Sequence, residues 1–110
     1  MRCELLDYRT SDGSMYISFN FCNLGLIKGW RIYILEDIDY EGHDTSSHAT
    51  HRLQDSGESS HYICWNRRIS SFEKAKTIAA LWGDCTARYI KGEGSFDAIA
   101  SQIHKERQGK

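Results

Sequence analysis

The stretch Arg2–Cys22, RCELLDYRTSDGSMYISFNFC, decides the fold, because two alternating runs meet there at Asp12-Gly13. An Asp-Gly step accepts the positive φ that a tight hairpin turn demands, so strands are predicted at about residues 2–10 and 14–22. With Asp12-Gly13 as a two-residue loop, Tyr8, Leu6 and Glu4 stand opposite Ile17, Phe19 and Phe21 on the face predicted to be buried. The other face carries Arg9, Asp7, Leu5 and Cys3 opposite Tyr16, Ser18, Asn20 and Cys22. Cys3 and Cys22 become neighbours. Counting outward from a two-residue turn, however, puts them at a hydrogen-bonded position with the wider Cα separation, which argues against a bond between them.

Working outward, Trp30 to Ile38 alternates Trp30, Ile32 and Ile34 against Arg31, Tyr33 and Leu35 and is predicted as a third strand. His61 to Trp65, HYICW, is predicted as a short fourth. Between them, residues 41–60 form a polar, histidine-rich loop, long for a small domain and therefore functional or disordered by expectation. From Ser71 to Lys91 the stripe Phe72, Ala75, Ala79, Trp82, Thr86 and Tyr89 recurs at helical spacing, with Ser70-x-x-Glu73 as a capping box and Gly92 as the stop. A second, shorter helix is predicted from Ser95, presenting Phe96, Ile99, Ala100 and Ile103. The expected class is α+β: a small antiparallel sheet of three to four strands, hairpin first, packed by one long C-terminal helix plus a short one. Residues 1–104 are expected as one domain and 105–110 as a polar tail.

Composition excludes several classes. The 110 residues are 40% hydrophobic and 26% charged with no Pro, neither a disordered nor a collagenous balance. A net charge of −1 lacks the basic excess that counterion release rewards in nucleic-acid binders. Met1–Thr10 has no apolar signal core and no run reaches the roughly 20 apolar residues of a membrane helix, so a cytoplasmic chain with no membrane partner is expected. There Cys3, Cys22, Cys64 and Cys85 would stay reduced, and no C-x-x-C pair occurs.

His43, His48 and His51 are the candidate metal or pH-sensing cluster, since histidines this close can converge on an ion or titrate together near pH 6.5. His61 and Cys64 point to opposite faces of a strand and cannot share one ion. No catalytic motif is assembled: Cys64 in its strand and Cys85 near the helix stripe read as small buried hydrophobes, and no cofactor is implied. Binding is the better expectation. The candidate residues are Tyr16, Asn20, Arg31 and Tyr33 on the outer sheet face, with Trp65, Arg67 and Arg68 as a basic, aromatic patch before the helix. Such surfaces suit protein partners or single-stranded nucleic acid. Asp7 and the acidic run Glu36–Glu41 rank a protein partner above nucleic acid. The expected function is that of a non-enzymatic accessory or inhibitor-like protein, of a kind frequent among phage and mobile-element products. The alternatives are a nucleic-acid-binding module and a histidine-loop metal-binding or pH-sensing domain. A free sheet edge would also admit a second copy by strand addition.

Overall fold

A computed structural model of the chain describes residues 2–109. The hairpin forms where the alternation places it: β1 (Arg2–Arg9) pairs antiparallel with β2 (Tyr16–Asn23), and Tyr8, Leu6 and Glu4 face Ile17, Phe19 and Phe21. Its turn is longer than two residues. Thr10 N donates to Met15 O at 2.9 Å, enclosing residues 11–14, in which Gly13 adopts φ 75°. The Asp12 carboxylate accepts from Thr10 Oγ1 (2.8 Å), Ser14 N (2.9 Å) and Ser14 Oγ (2.7 Å), which explains why the larger loop closes.

The longer turn leaves the register intact but moves the hydrogen-bonding alternation by one position. Cys3 and Cys22 consequently fall at a close, non-hydrogen-bonded pair with Cα atoms 4.0 Å apart, and a disulfide joins them. The expectation of unbonded thiols here is corrected. It rested on an expected reducing compartment and on a two-residue loop, and the longer loop overturns the geometric ground.

Three further strands complete an antiparallel sheet of order β1-β2-β3-β5-β4: β3 (Trp30–Ile34), β4 (Arg52–Leu53) and β5 (His61–Ile63). There are thus five strands rather than three or four, because the histidine-rich segment contributes the short β4 as an edge. The same segment holds a one-turn helix, α1 (Ser47–Thr50), capped by Ser46 Oγ.

The long helix α2 (Phe72–Ile90) is capped by Ser71, whose hydroxyl accepts from Lys74 N at 3.1 Å. Glu73 pairs with Lys76 at 2.8 Å, so the expected Ser70–Glu73 box is replaced by a simple N-cap and an exposed ion pair. After the stop at Gly92 (φ 83°), Ser95 caps α3 (Phe96–Gln108). α3 runs on through residues 105–108, where a polar tail was expected. Arg88 reaches from α2 to Glu106 with two hydrogen bonds of 2.9 and 3.2 Å, which accounts for the added turn.

α2 packs on one face of the sheet, and α3 packs chiefly on α2 from that same side. Ile17, Phe19, Phe21, Ile32 and Ile34 are buried there against Ala75, Ile78, Ala79 and Trp82 of α2 and Phe96, Ile99 and Ile103 of α3. Among the described residues no helix lies on the other face, which only the segment linking β4 to β5 partly overlies, and that asymmetry sets up the functional question.

Candidate binding face of the sheet

The uncovered face is built on the strand positions that alternate with the core. A row of cross-strand neighbours crosses it: Leu5, Asn20, Tyr33, Tyr62 and Leu53, one from each strand. Arg31 lies next to this row on β3. Its guanidinium sits 4.0 Å from the Tyr62 ring centre and 6.0 Å from that of Tyr33, and donates to Asp55 Oδ2 at 2.9 Å. The Tyr62 hydroxyl donates to the other Asp55 oxygen at 3.0 Å, while Tyr33 reaches Glu58 at 3.4 Å. Two tyrosines and one arginine are therefore held by carboxylates from the segment linking β4 to β5.

Electrostatics follow from that geometry. Hydrogen bonds from Tyr62 and Arg31 hold the Asp55 carboxyl below the usual range. Partial burial pushes the Tyr62 phenol up, and its bond to ionised Asp55 adds to the effect. For Arg31, burial works against the charge, but Tyr33 and Asp55 outweigh it and the pKa rises. The cluster is a fixed cation between two rings, with its charge already answered by a carboxylate.

Of the residues singled out in the sequence, the structure brings Asn20, Arg31 and Tyr33 together. Tyr16 lies on the same face near the hairpin turn, 66% exposed, with the Arg9 guanidinium 5.8 Å from its ring centre. Trp65 stands at the end of β5 between two hollows: a cleft of about 430 Å³ on the helix side with His51, Trp82, Phe96 and Asp97, and a second that it shares with Arg31, Leu53, Tyr62 and Arg67. Arg67 and Arg68 lie toward the opposite pole from the hairpin turn, where the Arg68 stem packs against Gly29 and Trp30 pairs with Ile69. Tyr62 and Asp55 escaped the sequence reading. Tyr62 was legible as the polar-face residue of HYICW, but Asp55 meets Arg31 only through the fold of a 24-residue separation.

The histidines do different work. His43 packs by Tyr89 (5.3 Å), and His51 stacks on Phe96 (4.5 Å, 14°) with Nε2 3.2 Å from Asp97. Among the described residues no group of three or more His, Cys, Asp or Glu is placed to hold a metal ion, so His43, His48 and His51 do not form a metal site. Anchors tie the segment down instead: Tyr89 Oη donates to Asp44 O (2.8 Å) and Trp82 Nε1 to Thr50 O (3.1 Å).

The cysteines also depart in part from expectation. Cys64 is exposed, not buried, because β5 ends at Ile63 and leaves it beyond the covered strand. Cys85 is buried, and burial with nearby Asp84 pushes its thiol up to about 12. No described helix is long and apolar enough to cross a membrane. Compared with family models, with curated proteins and with solved structures, the chain finds no match in any of the three.

Proposed function

We propose that the chain is a non-enzymatic binding protein, accessory or inhibitor-like, that occupies a protein partner through the uncovered face of its sheet. The observation that carries this reading is the combination on one helix-free face of Tyr33, Tyr62 and a pre-positioned Arg31 with the exposed apolar Leu5 and Tyr16. Tyrosine and arginine dominate the energetics of protein interfaces, and side chains already held in place lose little entropy on binding. The runner-up, a nucleic-acid platform, is weakened by the same geometry. Arg31 is paired with Asp55, and Asp7 and Glu58 also line the face, so a phosphate backbone would meet carboxylates.

The test is affinity capture from the source cell with the wild-type chain and with Leu5→Arg combined with Tyr33→Ser. A bound protein that is lost about 30-fold or more with the double variant, while the variant keeps its fold, supports the face as the interface. Undiminished capture by the double variant removes it. A partner whose retention falls steeply with salt and is destroyed by nuclease would favour the nucleic-acid reading instead.

A further inference from the structure

The loop joining β2 to β3 presents the most exposed large apolar side chains among the described residues. Leu26 is 93% and Ile27 91% exposed, at adjacent positions on its tip. The loop is a built turn: Leu24 N donates to Gly29 O and Gly29 N to Gly25 O, each at 2.8 Å, and Asn23 Oδ1 accepts from Gly25 N at 3.0 Å. Gly25 (φ 104°) and Gly29 (φ 73°) supply the left-handed conformations, and a Cβ on Gly29 would run into the Ile69 carbonyl. The chain thus holds two bare aliphatic side chains outward on a closed support.

Around this tip stand cations from three segments. Arg2 pairs with Asn23 at the open end of β1 and shares a surface concavity with Leu24, Leu26, Ile27 and Lys28. Lys28 and Arg67 line a neighbouring hollow, and the Arg68 stem lies against Gly29. Nearby Asp55 and Glu73 are already engaged by Arg31 and Lys76. The acidic run Glu36–Glu41 lies at the other pole, where Glu36, Asp37, Asp39 and Glu41 border Ser14, Tyr16 and Lys91. A chain with net charge −1 therefore gathers positive charge at the end that carries its two most exposed aliphatic side chains among the described residues.

We propose that this pole docks on an anionic lipid surface, with Leu26 and Ile27 entering the headgroup–acyl boundary and Arg2, Lys28, Arg67 and Arg68 meeting lipid phosphates. A pair of aliphatic side chains is too small to supply the roughly 800 Å² per partner of a stable protein interface. It is well matched to a bilayer, which accepts apolar groups without a shaped pocket and rewards each nearby cation on an anionic leaflet. Nucleic acid would use the cations but leave the aliphatic tip in water.

Flotation with vesicles tests this, using phosphatidylcholine alone and phosphatidylcholine mixed with phosphatidylserine. The wild-type chain should float with the mixed vesicles and far less with the neutral ones. Leu26→Asp with Ile27→Asp should reduce flotation about tenfold or more, as should Lys28→Glu with Arg67→Glu and Arg68→Glu. Because all of these side chains are off the core, unchanged melting of the variants separates lost docking from lost folding. Wild-type chain that stays with neither vesicle overturns the proposal, as does flotation that survives removal of the aliphatic pair, which would mark plain charge adsorption. Lipid-free self-association abolished by Leu26→Asp with Ile27→Asp would reassign the tip to a second copy of the chain. None of these outcomes bears on Leu5 or Tyr33, so the sheet-face reading stands or falls separately.

Discussion

Asp84 fastens the hairpin turn to the long helix. Only 5% exposed, it accepts from Tyr8 Oη (2.9 Å), Ser11 N (2.8 Å) and Ser11 Oγ (2.8 Å), with Arg107 at 3.7 Å. Removing the carboxylate would take the shared acceptor from three donors at once, and together those bonds outweigh the value of any single one. Asp84→Ala should therefore cost about 2–4 kcal/mol in urea unfolding. A loss below about 0.5 kcal/mol would mean water replaces the carboxylate at no penalty. The helix stripe gave no hint of this role, since Asp84 reads there as one of the charges lying off the apolar face. Its partners are 73 and 76 residues away, beyond any local pattern. Asp12 makes the matching prediction for pH. Partial burial disfavours its charge, but Lys91 at 2.7 Å and the Ser14 and Thr10 donors outweigh that and hold its carboxyl well below the usual range. A carboxyl depressed in the folded state contributes stability above its unfolded value of about 4 and loses that contribution as pH falls further. Unfolding free energy should decline with acid below about pH 4, and Asp12→Asn should flatten part of that decline.

Among the elements, the hairpin shows what alternation can and cannot settle. Periodicity fixed which residues of β1 and β2 face each other, because a slip of one residue would turn Ile17, Phe19 and Phe21 to the solvent. It carried no information on loop length, and loop length decides whether Cys3 and Cys22 fall at a wide or a close pair. The histidine-rich segment was misread for a related reason. Its anchors, Trp82 to Thr50 O and Tyr89 to Asp44 O, are single side chains reaching from α2, invisible as a pattern within residues 41–60. The disulfide yields a thiol count. Under non-reducing conditions the folded chain should expose one reactive thiol, Cys64, with Cys85 reacting only on unfolding and Cys3 and Cys22 only after reduction. Closing a loop of sequence separation 19 restricts the unfolded chain, so reduction should lower stability by about 3 kcal/mol on the chain-entropy account. Four thiols reacting at equal rates in the native protein would contradict both statements.

At the scale of the molecule, the two faces of the sheet separate stability from recognition. The helix side carries the only extended hydrophobic cluster among the described residues, and Phe19 is central to it, 5.9 Å from Phe21 and 6.1 Å from Trp82 by ring centres. The uncovered side keeps Leu5 69% exposed in the isolated chain. Phe19→Ala removes packed atoms and leaves a cavity, so it should cost about 3–5 kcal/mol. Leu5→Ser and Tyr16→Ser remove atoms that water already touches, and each should change stability by less than about 0.5 kcal/mol. Denaturant titrations of the three variants give the comparison directly. If Leu5→Ser proves as damaging as Phe19→Ala, then the outer face is buried in solution by something held permanently, and the midpoint should rise with protein concentration. If the outer-face changes are silent in the isolated chain but weaken a partner, that face is conserved energy for binding rather than folding, which is how one small sheet can serve both demands.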